Sequence, residues 1–277
     1  MAMSPRLLRP LASGVHPEAA AWRSAVVANG GSVSATTLKA VADFCKAIDG
    51  YGLRDRFYRL NLFVGDGLNA ALVPLYRGPS RTGTQYGNAT DTNVGTFVSG
   101  DYSESVGLDG NGTNHLNTGL NANVLPADPH IGIWSDFATA STSNRSLGGF
   151  DTFGTANNSF WNIFQNAVGT GGNVRNFTTL AAASPTYTTS GQSHVLMTGN
   201  GSHEVYVDGA QEATASNTAW SAPAVPVYIF ATRRSGTAAD PAFSVISAYS
   251  LGDDLTATQA ADFYTALAAF QTTMGRT

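Results

Sequence analysis

In SHEVYVDGAQEATA, residues 202 to 215, apolar and polar positions alternate with the period of a strand that has one wet face. Val205 and Val207 fall on one side, and Glu204, Tyr206 and Asp208 on the other. Asp208-Gly209 interrupts the alternation. Both residues tolerate the positive φ of a type I′ turn, so a hairpin is predicted there. A second turn, Gly199-Asn200-Gly201-Ser202, follows the apolar run Val195-Leu196-Met197 and makes a three-stranded antiparallel meander. Further strand-like runs at 105–110, 115–120, 130–138, 159–168, 174–180, 226–234 and 243–252 recur at sandwich-like intervals. No repeat of roughly 20 to 50 residues, the mark of a propeller or solenoid, is present.

Helical spacing is confined to the two ends. His16-Pro17-Glu18 opens a first helix, with proline allowed in the first turn and Glu18 favourable at the positive end of the dipole, and Asn29-Gly30-Gly31 closes it. A second helix runs from Ser34 to Ile48 on the stripe Leu38, Val41, Cys45 and Ile48, with Gly50 placed to cap it. A short helical turn at 53–57 and an extended segment at 59–65 follow. Near the other end, Thr256 and Gln259 form a capping box ahead of the stripe Phe263, Leu267 and Phe270. The chain therefore divides into an extended arm (1–15) broken by Pro5 and Pro10, a helical leader (16–78), a Gly/Ser/Thr/Asn-rich connection (79–103), and a sandwich with a closing helix (104–277).

Composition sharpens this picture. The chain of 277 residues is 43% hydrophobic but only 12% charged, about half the usual charged share. Polarity comes instead from Ser, Thr, Asn and 30 glycines, an all-β profile. A net charge of -4 without a basic block excludes nucleic acid or an anionic membrane as the main partner. No stretch of about 18 apolar residues is present to insert into a membrane. Cys45 is the one cysteine, which rules out an internal disulfide or a multi-cysteine zinc site. The start lacks the roughly 7 to 15 apolar residues of a signal peptide, so folding in a reducing cytosol is expected.

Candidate chemistry is sparse. A retaining glycan hydrolase needs two carboxylates about 5 to 5.5 Å apart. Glu204 and Asp208 share a strand face, but Asp208 sits in the turn, so they read as surface residues. His16, His115, His130, His194 and His203 show no zinc spacing, although His194 and His203 flank the Gly199 turn. No nucleophile elbow or phosphate loop is present.

The best ligand candidate is the stretch Phe150, Phe153, Phe160, Trp161 and Phe164, interleaved with Asn157, Asn158, Asn162 and Asn166. Sugar C–H faces pack on aromatic rings while amides donate to and accept from hydroxyls, so Phe153, Asn157, Asn158, Trp161 and Asn162 are the candidate carbohydrate contacts. The competing reading is that these aromatics fill the sandwich core, and Trp134 and Trp220 share the ambiguity. Asp109 and Asn111, in Asp-Gly-Asn-Gly-Thr-Asn, are a weak calcium candidate, since the spacing misses the EF-hand and Asn-Gly runs make turns. No other cofactor is expected.

Four segments, in order, carry a resemblance: LDGNGTNHLNTGL (108–120), HVLMTGNGSHEVYVDGAQEATA (194–215), PVYIFATRR (226–234) and FSVISAYSLGDDLTATQAADFYTAL (243–267). They resemble the opening strand pair, the strand pair with its Y-V-D-G turn, the short strand with trailing Arg, and the last strand and L-T-x-x-Q helix of concanavalin A-like, laminin G-type jelly rolls. Residues 14–78, with Gly52-Leu53-Arg54-Asp55 and Leu72-Val73-Pro74-Leu75-Tyr76-Arg77-Gly78, look like the helical leader ahead of such jelly rolls in virion proteins of tailed phages and gene-transfer-agent particles. Arg54 stands where that leader often has Trp.

The resemblance implies a mainly β chain: a jelly-roll sandwich preceded by a small helical module and closed by a helix. It further implies a non-enzymatic virion component, a head spike, fibre or tail part assembled in the bacterial cytoplasm. Such a protein would be oligomeric on the particle, attached through its N-terminal region to capsid or tail proteins, and would bind host surface glycan. The alternatives are a structural decoration or adaptor protein without glycan binding, and a divergent glycan hydrolase.

Overall fold

The computed structural model describes residues 15–78, 85–137, 145–152, 159–166, 171–177, 186–189, 191–200, 202–216, 219 and 221–276. The strands are β1 (Phe57–Asn61), β2 (Tyr76–Arg77), β3 (Thr92–Val94), β4 (Tyr102–Ser103), β5 (Gly107–Asp109), β6 (His115–Asn121), β7 (Pro129–Asp136), β8 (Arg145–Asp151) and β9 (Phe160–Gln165). They continue with β10 (Gly171–Phe177), β11 (Thr186–Thr188), β12 (Gln192–Thr198), β13 (Ser202–Val207), β14 (Ala210–Ser216), β15 (Pro226–Ile229), β16 (Thr232–Arg234), β17 (Thr237–Ala239) and β18 (Val245–Asp253). One nine-stranded sheet has the order β14-β13-β12-β7-β18-β1-β2, with β5 on β18 and β4 on β5. The other has the order β11-β10-β9-β8-β15-β6-β3, with β16 on β8 and β17 on β16. The chain is mainly β, a jelly-roll sandwich with helices before it and a helix closing it, as expected.

Helices α1 (Pro17–Ala28), α2 (Ala35–Gly50) and α4 (Ala257–Thr273) form a third layer on the first sheet, and α3 (Leu68–Ala71) is a single turn. Side-chain alternation builds both interfaces from the same strands: Ile131 and Ile133 of β7 enter the core between the sheets, while Trp134 joins the core under the helices. The first sheet is therefore covered on both faces. Phe57 of β1 meets Phe263 of α4 at 4.8 Å between ring centroids, and Phe44 of α2 meets Phe270 at 5.6 Å.

Local signals are reproduced where they close within a few residues. His16 caps α1, Ser34 caps α2, and Thr256 and Gln259 form the expected box at α4. Asp208 and Gly209 adopt φ of 50° and 78°, the predicted hairpin turn. The turn is docked on α4, since a Cβ on Gly209 would lie 3.0 Å from Tyr264 Cβ. Other elements differ: β2, β3, β4, β8, β11 and β17 lie where no strand is expected, and β10 and β1 begin earlier than the runs at 174–180 and 59–65. Helix α2 includes Gly50, and the left-handed residue after it is Gly52 at φ 68°. The run 226–234 is split at Phe230, whose φ of 69° ends β15 before β16 begins.

The leader is not set apart from the sandwich. Strand β1 pairs with β18, and β2 pairs with β1. Trp22 Nε1 of α1 donates to the Val73 carbonyl at 3.1 Å, and both residues are buried. Its two motifs meet at Arg54, whose guanidinium lies 4.1 Å from the Tyr76 ring centroid, pairs through Nε with Glu18 at 2.8 Å, and donates through Nη2 to the Gly78 carbonyl at 2.8 Å. The guanidinium thus serves this turn as a cation with two hydrogen-bonding arms. The connection 79–103 also enters the core: Asp91 accepts from Arg59, Asn61 and Tyr249, all four side chains being buried.

Candidate functional site

The expected aromatic and amide contacts are not on an open surface. Strand β9 lies between β8 and β10 in the middle of its sheet, and Trp161, with none of its surface exposed, joins the inter-sheet core beside Phe150 at 5.8 Å between centroids. Asn162 is equally buried and its Nδ2 donates to Thr232 Oγ1 at 3.3 Å. Trp161 and Asn162 are therefore corrected from glycan contacts to interior residues: a central strand sealed on both faces reads as aromatic whichever side faces the core. Phe153, Asn157 and Asn158 lie outside the described residues.

Of the calcium candidates, Asp109 ends β5 and Asn111 lies in the loop that follows. Asp109 and Asn111 are both exposed, but Asn111 Oδ1 accepts from Thr113 N, Thr113 Oγ1 and Asn114 N at 3.0, 2.7 and 3.1 Å, which is an Asx turn. Partial desolvation, and then Asp101, raise the Asp109 carboxyl above its ordinary value. Among the described residues, no group of three His, Cys, Asp or Glu side chains is placed to hold a metal ion.

His194 and His203 do not come together. His194 lies opposite the Asp208 turn, donating its backbone N–H to Asp208 Oδ1 at 2.8 Å, while its ring packs under α4 at 5.1 Å from the Phe263 centroid. His203 lines a different feature, a cleft of about 380 Å³ between the β12–β13 turn and the start of α4.

Most of the side chains that line this cleft are polar. It is lined by Asp128, Thr198, Gly199, Ser202, His203, Glu204, Asp254, Leu255, Thr256 and Ala257. Its walls are fixed by local bonds: Thr198 Oγ1 accepts from Leu255 N at 3.0 Å, and Gln259 Oε1 accepts from Thr256 N at 3.0 Å. Arg56 Nη1 holds Asp253 Oδ2 at 2.7 Å and Asp254 Oδ1 at 3.3 Å, and the Tyr206 hydroxyl donates to Glu204. Partial burial raises the Asp254 carboxyl, Asp253 adds to the rise, Arg56 opposes it, and Asp128 and Glu204 raise it further. Three carboxylates and several hydroxyls thus share one concave space, a donor and acceptor set suited to a polyhydroxylated ligand.

From the sequence Glu204 reads as a surface residue, Ser202 as a turn residue, and Asp128 carries no signal of its own. The available signal was Asp253-Asp254 two residues before the Thr256 cap, but only the sheet brings Glu204 and Asp128 beside it.

The fold and cleft define a concanavalin A-like sandwich with a polar pocket at the foot of its last helix. No protein-family model and no curated protein sequence matches the chain. Among solved structures, a mutant of Trypanosoma rangeli sialidase displaying trans-sialidase activity is similar at TM-score 0.53 and 11% identity, over 84% of this chain and 40% of that one. NanB sialidase from Streptococcus pneumoniae is similar at TM-score 0.39 and 12% identity, over 50% of this chain and 24% of that one. The receptor-binding domain of botulinum neurotoxin C/D mosaic serotype is similar at TM-score 0.40 and 12% identity, over 55% and 40%. This chain spans less than half the length of each. The expectation of a non-enzymatic protein is thereby overturned: the sandwich is similar, over most of this chain, to a protein of the sialidase type. At 11% identity that likeness concerns fold.

Proposed function

We propose that this chain engages polysaccharide through the cleft at the start of α4 and serves as a component of a tailed-phage or gene-transfer-agent particle, presenting the sandwich to host surface glycan. The observation that carries the reading is the convergence of Asp128, Glu204 and Asp254 with Ser202 and Thr256 in one concavity. Carboxylates accept from sugar hydroxyls with the strength of charge-assisted hydrogen bonds, and the surrounding hydroxyls both donate and accept. The particle setting is supported by the leader motifs around Arg54 and Tyr76, which pack together on the sandwich. Attachment to capsid or tail proteins through the N-terminal region, oligomerisation there, and assembly in the bacterial cytoplasm belong to the same proposal.

One observation favours hydrolysis as a second reading: Asp128, Glu204 and Asp254 bring more than one carboxylate to the cleft, and glycan hydrolysis uses a pair of them. Titrating the purified chain with polysaccharides extracted from bacterial surfaces, with release of reducing ends followed in parallel, tests both. Binding that falls on Glu204→Gln or Asp254→Asn supports the cleft. Reducing ends released by the parent and not by Asp254→Asn support hydrolysis. No affinity for any surface polysaccharide, together with full occupancy on purified particles seen by electron microscopy, would replace both with the decoration reading.

A further inference from the structure

We propose that Phe243 is a stacking platform for a pyranose unit, a second polysaccharide contact at the opposite end of β18 from the cleft. The inference rests on the polysaccharide reading above. Among the described residues the exposed large apolar side chains are five valines, Tyr51 and Phe243, and of the two aromatic rings Phe243, 43% exposed, is the one seated beside the exposed Asp109 and Asn111 side chains. It is held rigidly. The ring tip lies against Gly112, where an added Cβ would fall 2.0 Å from Phe243 Cζ, and Gly112 has a φ of 79°. The Arg145 guanidinium carbon lies 4.9 Å from the ring centroid.

Three backbone bonds tie the surrounding loops together: Gly110 N to Ser244 O at 3.2 Å, Gly112 N to Ala242 O at 2.9 Å, and Ser146 N to Asp240 O at 2.7 Å. A half-exposed aromatic that is already immobilised loses little freedom on binding, the property of an anchor residue.

The surroundings specify the ligand. Asp109, the last residue of β5, and Asn111, on the loop that carries Gly112, are exposed. Asn111 Oδ1 is committed to its turn, so the group this side chain has to offer is its NH2. A pyranose presents a C–H face to the ring while its hydroxyls donate to the Asp109 carboxylate and accept from the Asn111 amide. Strand β18 has nine residues between the two features; at about 3.3 Å per residue it separates them by roughly 30 Å. One sugar cannot span that distance. An extended polysaccharide offers successive units to both ends, and a second contact within one chain raises the effective concentration for the first.

The test titrates the full chain with dextran, alginate and polysialic acid by isothermal calorimetry, using Phe243→Ala, Phe243→Trp and the cleft variant Glu204→Gln, with thermal unfolding recorded for each. The expected result is binding of at least one probe that Phe243→Ala weakens about tenfold and Phe243→Trp changes by less than about twofold, the unfolding temperature being the same in both. If Phe243→Ala binds like the parent while Glu204→Gln does not, the platform is wrong and the cleft stands. Equal losses in Phe243→Ala and Phe243→Trp would also overturn stacking. A parent that binds none of the three probes overturns platform and cleft together.

Discussion

Arg59 and Asp91 form an ion pair at 2.7 Å in which neither side chain reaches solvent. Tyr249 adds a hydroxyl donating to the same carboxylate at 2.7 Å, and the Arg59 Nη1 arm donates to the Tyr86 and Asn88 carbonyls at 3.0 Å each. The pair joins β1 to the segment before β3. Removing one partner leaves a buried charge uncompensated, so Asp91→Ala should cost about 3 to 5 kcal/mol. Urea denaturation reads this directly, and a midpoint equal to the parent's would contradict it.

Acid should weaken the fold through two buried histidines, His130 and His194. Burial pushes His130 down to about 4, its contact with the Asp253 carbonyl opposing this and Arg56 adding to it. Burial, and then His130, push His194 down to about 3. Both folded values lie below the ordinary 6.5, so the fold favours the neutral rings. Their contribution is present above pH 6.5 and is lost as pH falls from there towards 4 and 3. Between pH 7 and pH 5 each histidine should cost about 2 kcal/mol. Denaturation midpoints at the two pH values, compared between the parent and His194→Gln, check this: the variant should lose less on acidification.

Phe263 is the keystone of the helical layer, 4.8 Å from Phe57 and 5.1 Å from His194 between ring centroids. Truncating so central a ring leaves a cavity, and Phe263→Ala should cost about 3 to 5 kcal/mol. Loss of the near-ultraviolet circular dichroism at lower denaturant is the expected readout, and an unshifted transition would mean that α4 is not docked.

Gly209→Ala tests the hairpin turn. At φ 78°, with Tyr264 Cβ 3.0 Å from the added methyl, the variant meets both backbone strain and a steric neighbour. The left-handed conformation alone costs roughly 1 to 2 kcal/mol in a residue with a Cβ. A thermal midpoint at or above the parent's would refute this account.

What could be read from the sequence was what neighbouring residues decide. The Asp208-Gly209 turn and the Thr256–Gln259 box are contests among a few adjacent backbone groups, and both formed as expected. Trp161 could not be placed in that way, because its burial depends on β8 and β10 flanking it and on the opposing sheet. Asp91 lies in a Gly/Ser/Thr/Asn-rich stretch that reads as a surface connection, and its role exists only because Arg59, 32 residues earlier, reaches it. The cleft illustrates the same limit: Asp128, Glu204 and Asp254 are separated by long stretches of chain and converge through strand pairing.

The helical layer takes α1 and α2 from before the sandwich and α4 from after it, and the sheet beneath takes β1 and β2 from the leader. A graft that began at residue 104 would remove the four strands β1 to β4 together with α1 and α2, and would bare Phe263 and Phe270, which rest on Phe57 and Phe44. Apolar faces of that kind drive self-association. The unit that can be shuffled between scaffolds, by recombination or by design, is therefore the whole three-layer body from α1 to α4, and its helices travel as cargo with the strands.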